Sequence, residues 1–310
     1  MSATAMTALT TLAGFGLAYA AARLLLACAS LRPARPQARP AVLLARAVAP
    51  TLVASIVSTA LILPAFLLFE PAHDGERAGV VLTALAVLGG AQIGAAAVRA
   101  IRMLRFARTV TSAWGVHARP LPHEPWGLPA YAVDAGFPVV AVAGFFRPRL
   151  FVDRRVLTVC SPAELAAIAA HERAHVECRD NLRRLLVGAC EGPRSRAAAA
   201  WRHAAEHAAD ARAAESSERA VDLAAALVKI ARLAPGRPLE TAALSTIHDG
   251  GSLEARIQRL LAVDRPAAVR APRSVIWLAA APAAFAILLQ GRAMLAWTHA
   301  AVELLVRYLP

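Results

Sequence analysis

Three long stretches of this chain carry no charged side chain: Met1–Ala22, Ala47–Phe69 and Ala78–Val98. About 20 consecutive apolar residues suffice for a helix to cross the hydrocarbon core of a bilayer, and each run reaches that length. Hydrophobic residues make up 58% of the 310 residues and mean hydropathy is +0.49, too apolar for an ordinary soluble domain. Membrane spans are therefore expected. Ser274–Gln290 is a fourth, shorter run, weakened as a span by Pro282 and by the early Arg292.

The first run does not read as a cleaved leader. Secretory signals place basic residues before the apolar core, whereas the first basic residue here is Arg23, at its far end. The short loops then set the orientation. Arg32, Arg35 and Arg39 crowd the first loop, and the second, 70–77, is net acidic, so the first is expected in the cytoplasm and the second outside. Arg99, Arg102, Arg105 and Arg108 follow the third run. The expected arrangement is a bacterial-type plasma membrane protein with both termini outside and 99–273 in the cytoplasm.

Within that cytoplasmic segment lies His171-Glu172-Arg-Ala-His175. Two imidazoles four residues apart on a helix project from one face and can reach one metal ion, and the glutamate between them can handle a proton. Ser161-Pro162-Ala-Glu164 has the pattern of a capping box with proline at the first helical position. A helix is predicted from about Pro162, running on through Leu182 and Leu185 to a stop at Gly192-Pro193, with the motif in its middle.

A catalytic zinc site needs three protein ligands and one open position. The best third ligand is Glu206, in the Ala-rich helical stretch Trp201–Arg212, with Asp210 one turn on to accept the free ring N–H of a ligand histidine. The same stretch spells an inverted motif, His203-Ala-Ala-Glu206-His207. The first motif is preferred as the primary pair, since it has the capped helix and the aspartate partner. Glu172 is then the catalytic base, and His203, His207 and Tyr131 are candidate donors to the transition state.

Upstream, Phe137–Val142 and Leu150–Val152 are β-prone runs joined by Gly144-Phe-Phe-Arg-Pro-Arg149, a predicted hairpin. Ser217–Leu233 and Ser252–Leu261 read as amphipathic helices. Cys28, Cys160, Cys178 and Cys190 show no paired spacing and are expected as free thiols. The net charge of +13 comes almost wholly from arginine, since Lys229 is the only lysine among 34 basic residues. Much of it flanks the apolar runs and few aromatics are present, so lipid headgroups rather than nucleic acid are the expected partner.

Four strings together carry a family resemblance: Gly144–Val152, Leu165–His175 running on through Leu182, Glu206–Arg212 and Ser252–Leu261. With the order of spans, they resemble membrane zinc peptidases of the BlaR/MecR type, which transduce beta-lactam sensing, and more distantly the HtpX and CAAX-prenyl endopeptidases. The resemblance implies one zinc ion held by His171, His175 and Glu206, Glu172 as base, and regulated proteolysis of a cytoplasmic protein such as a transcriptional repressor. Because the sequence ends at Pro310, the external penicillin-binding sensor of those receptors is expected to be lacking.

The expected protein is mainly α and polytopic. Residues 1–98 form three transmembrane helices, 99–273 a helical gluzincin-type zinc peptidase domain with a small β-hairpin, and 274–310 a fourth span with a short tail. Its partners are a protein or peptide substrate, the lipid bilayer and a possible second copy. Alternatives are a membrane-protein quality-control peptidase, or a non-catalytic membrane sensor or scaffold with structural zinc.

Overall fold

The computed structural model describes residues 3–29, 40–69, 78–135, 139–233, 245–246, 253–262 and 291–308. It is mainly helical with one five-stranded sheet, and the chain divides into two compact units. One comprises Met1–Arg35, Val48–Ala96 and Arg270–Pro310; the other comprises Pro36–Ala47 and Ala97–Val269.

The first unit is built from the apolar runs. Helix α1 is Ala3–Ala29; α2, Pro40–Ile56, passes through a π-helical segment, Val57–Ile62, into α3, Leu63–Phe69; and α4 is Val80–Gly115. The widened segment ends just before Pro64, whose missing N–H cannot serve a regular α-helical ladder. Three helical stretches, Thr4–Cys28, Pro40–Phe69 and Val80–Gly115, are long and apolar enough to cross a membrane. They coincide with the first three uncharged runs. Helices α1 and α4 meet at Gly16 and Gly89, where a Cβ on either would strike a backbone carbonyl, of Leu85 or of Leu12. Small residues at such crossings let backbones approach where lipid supplies no hydrophobic drive.

The fourth run, Ser274–Gln290, lies outside the described residues. Beyond it, where only a short tail was expected, Gly291–Tyr308 is a helix packed on α3 and the π segment. His299 is its buried anchor, with its ring against Phe66 and Phe69 at centroid distances of 5.0 and 6.1 Å.

The second unit is a sheet with helices on both faces. Its strands are β1 (Arg119–Pro120), β2 (Ala130–Val133), β3 (Val140–Ala143), β4 (Arg149–Asp153) and β5 (Ser245–Thr246), in the order β1-β2-β4-β3-β5. Strands β3 and β4 form the predicted hairpin, with Val140 opposite Val152 and Ala143 opposite Arg149. Strand β2 joins β4 in parallel and had no clear sequence signal, being four residues of which two are alanine.

Side-chain alternation gives the sheet two apolar faces. Ala130, Val140, Val142, Leu150 and Val152 face one core with Ile168, Leu223, Leu227 and Ile230. Val133, Ala141, Ala143 and Phe151 face the other, with Val110 and Trp114 of α4. Helices α5 (Arg154–Val159), α6 (Pro162–Glu177), α7 (Asp180–Glu191), α8 (Arg196–Ala213), α9 (Ser217–Leu233) and α10 (Leu253–Leu261) complete the unit.

The single helix predicted from Pro162 to Gly192 is two helices. Arg179 adopts φ 53°, the one non-glycine residue at positive φ among the described residues, and the chain turns there. The motif consequently lies in the last two turns of α6 rather than in mid-helix.

Candidate metal centre

Helix α6 is held at its start by the predicted capping box. Ser161 Oγ accepts from the Glu164 N–H at 3.2 Å, and Glu164 Oε2 accepts from the Ser161 N–H at 2.7 Å. Lys229 Nζ of α9 donates to the same oxygen at 2.7 Å. Alanines at 167, 169 and 174 let the helix pack closely against its neighbours, and this close packing shuts water out. His171, Glu172 and His175 are only 0, 1 and 3% exposed.

Three groups that could hold a metal converge there: His171, His175 and Glu206 of α8. The two Nε2 atoms are 3.1 Å apart, Glu206 Oε2 is 3.4 Å from His171 Nε2, and Glu206 Oε1 is 3.4 Å from His175 Nε2. Donors about 2.0–2.1 Å from a tetrahedral ion stand about 3.3 Å from one another, so the spacing matches a zinc-sized cation.

Behind each imidazole stands a carboxylate. His175 Nδ1 is 2.8 Å from Asp180 Oδ2, and His171 Nδ1 is 3.1 Å from Asp210 Oδ1. His175, giving its Nδ1–H to Asp180, turns its Nε2 lone pair inward, the tautomer a metal requires, whereas Asp210 stands beside His171 Nδ1 at ion-pair distance without an aligned hydrogen bond. Arg256 of α10, 2% exposed, holds Asp210 in a fork: Nε donates to Oδ2 at 2.9 Å and Nη2 to Oδ1 at 2.6 Å. Its Nη1 lies 3.3 Å from Glu206 Oε2.

Charge supports the same reading. Glu172, Asp180, Glu206 and Asp210 are all buried, and Arg256 is the buried cation that contacts two of them. Neither Glu206 oxygen has a hydrogen-bond partner, nor does Glu172 Oε2. Four buried carboxylates outnumber the one buried arginine that contacts two of them, an excess of negative charge that is unfavourable unless a further cation joins it, and a divalent ion at the three converging donors supplies one.

The ionisable groups feel each other strongly. Burial pushes Glu172 up to about 7, against the pull of the two imidazoles. Burial would raise Glu206 as well, but His175 and Arg256 hold it well below the carboxylate range. Asp210 is brought down to about 2 in spite of its burial, chiefly by Arg256. Burial works against charging His171 and His175, yet their carboxylate neighbours leave both raised.

The other candidates are placed elsewhere. Tyr131 pairs in register with Phe151, stacks on its ring at 5.8 Å, and so lies on the sheet face turned to α4. Helix α6 packs on the opposite face, so strand alternation keeps Tyr131 away from the centre. His203 and His207 form a ring pair on α8, centroids 4.0 Å apart, with no hydrogen bond to the three converging groups. Cys178 accepts from Arg212 Nη1 at 2.6 Å.

Two contributors were not read from the sequence. Asp180 escaped because a continuous helix would carry it off the face of His175. Arg256 had a signal: it interrupts the apolar stripe Leu253, Ile257 and Leu260 of α10, a position where an arginine needs a buried partner.

The family model of peptidase family M48 matches residues 119–192, from β1 to just past the end of α7. The matched stretch contains His171, Glu172, His175 and Asp180 and stops short of α8 and α10. It supports this metallopeptidase family broadly, whose members are generally zinc metalloproteases. No curated protein matches the chain.

Proposed function

We propose that the chain is a membrane-embedded zinc metalloendopeptidase of the HExxH gluzincin type. The observation that carries this is the convergence of His171, His175 and Glu206 on one point, with the buried Glu172 carboxyl beside them. His171, His175 and Glu206 would hold the ion, and when bound it supplies Lewis acidity towards a scissile carbonyl and its attacking water.

The chain's own residues do the rest. Asp180 and Asp210 orient the two rings, and Arg256 fixes Asp210 and balances part of the negative charge. Glu172 takes a proton from the attacking water and returns it to the leaving amine. Its carboxyl stands near 7 before a cation is added, and a nearby dication lowers it, which favours the unprotonated base.

The substrate class we infer is cytoplasmic or membrane-proximal protein, cut as a step in signalling by regulated proteolysis, with a repressor as the favoured target. The resemblance to BlaR/MecR-type transducers and the apolar helices support this reading. The decisive experiment compares protein termini in cells carrying the wild type and Glu172→Ala. One or two new termini that depend on Glu172 fit a transducer, and broad cleavage fits quality control. If no terminus depends on Glu172 while zinc is still bound, the site is structural and the peptidase reading fails.

A further inference from the structure

We propose that the tip of the β3–β4 hairpin, Gly144 to Arg149, is a membrane-surface anchor, with Phe146 entering the interfacial layer and Arg147 and Arg149 meeting anionic headgroups. Phe146 is 85% exposed, more than any other large apolar side chain among the described residues. An aromatic ring left that open in a chain with membrane-length helices has an obvious apolar medium at hand.

The tip is built to hold the ring out. Gly144 sits at φ +101°, and a Cβ there would press on the Arg147 carbonyl, so the turn is tight. Asn181 Nδ2 donates to the Val142 and Gly144 carbonyls at 3.0 and 3.1 Å, tying the hairpin to α7. Phe145 turns inward and packs on Met103 and Ala107 of α4 and on Leu185. Phe146, next in the chain, is left with nothing to cover it.

Phe145 thus packs on the part of α4 that follows the uncharged run in sequence. Met103 and Ala107 follow the last residue of the uncharged run, Val98, by about 8 and 14 Å of helix at 1.5 Å per residue. The headgroup layer begins where the apolar run ends, and the exposed Arg102 and Arg105 follow that end in sequence. The tip's charge suits an anionic surface: Arg147 and Arg149 are exposed, and neither has a carboxylate partner among the described residues. A cleft of about 370 Å³ lined by Phe145, Phe146, Pro148, His175 and Asp180 opens beside the tip. On the peptidase reading, an anchored tip would bring the cleft to peptide segments lying at the bilayer surface.

The test uses the full chain in nanodiscs of phosphatidylcholine with phosphatidylglycerol, with Phe146 replaced by the photoreactive benzoylphenylalanine. Irradiation is expected to give phospholipid adducts at position 146 and none at Val221, an exposed control on α9. R147E with R149E should lower the lipid adduct by at least about thirtyfold, as expected for the loss of two headgroup-facing charges. In the unsubstituted chain, radical footprinting of Phe146 should fall several-fold from lipid-free amphipol to nanodisc. Adducts to protein instead of lipid would make the tip a protein-docking surface and overturn the proposal, as would equal footprinting in the two media. None of these readouts uses peptidase activity, so failure here leaves the zinc reading standing, and the reverse.

Discussion

Two histidine pairs in this chain have the same four-residue spacing, His171/His175 on α6 and His203/His207 on α8, and their surroundings are opposite. Behind the first pair stand Asp210, Asp180 and Glu206, and both rings are raised. Around the second, burial, Arg259 and the neighbouring His203 bring His207 down to about 4. Helical spacing creates the chance of a metal site, and the acids behind the rings decide whether it becomes one.

The comparison breaks first on metal and activity. His171→Ala is expected to abolish zinc binding, while His203→Ala combined with His207→Ala retains one zinc per chain, as measured by elemental analysis of the purified protein. Glu172→Gln should keep the zinc and lose about 10²–10⁴-fold in peptide hydrolysis, the range for a positioned acid–base group. If the His203/His207 variant loses the metal, the two pairs share one site and the contrast collapses.

Stability gives the next largest contrast. Arg256→Met strips Asp210 of its buried partner and is expected to destabilise folding by on the order of 3–5 kcal/mol in denaturant titrations. Arg259→Met, beside the second pair, should change it by less than about 1 kcal/mol. Asp180→Asn leaves the ligands in place but weakens the hold on the His175 ring. A loss of about 10–100-fold in zinc affinity, read by chelator competition, is expected.

The smallest effect is on pH. Burial would raise Glu164, but Lys229 and the Ser161 N–H hold its carboxyl below the usual range. A group lowered in the fold stabilises it above its unfolded value, about 4.3, and that stability is lost as pH falls through the lowered folded value. The melting temperature of the wild type should therefore fall faster than that of Glu164→Gln as pH drops below about 4.3. Parallel curves would mean that the start of α6 owes nothing to this charge.

Much of this was legible in the sequence because local rules act alone there. Uncharged runs mark the three long apolar helices, Ser161-Pro-Ala-Glu164 marks a helix start, and Glu206 with Asp210 share a face at one-turn spacing. Helix α9, Ser217–Leu233, has the predicted bounds. What escaped depended on tertiary structure. The break at Arg179 has no glycine or proline to announce it, and without the break Asp180 has no path to His175. Tyr131 stayed an open candidate donor beside His203 and His207 for a related reason: strand β2 was not foreseen, and the face a strand residue takes is unknown until its register is. Arg256 stands in the apolar stripe of α10, which marks it as needing a buried partner, but which acids it meets depends on how α10 packs on α8.

The left-handed residue Arg179 makes chain length between His175 and Asp180 a quantity that comes only in whole steps. Adding or removing one residue there would turn the following helix by about 100° and swing the aspartate off the imidazole. Substitutions at the intervening exposed positions are absorbed one side chain at a time, whereas an insertion or deletion acts on all of α7 at once. The exposed Glu177 within this stretch is thus expected to accept changes of letter, and the stretch as a whole to refuse changes of count.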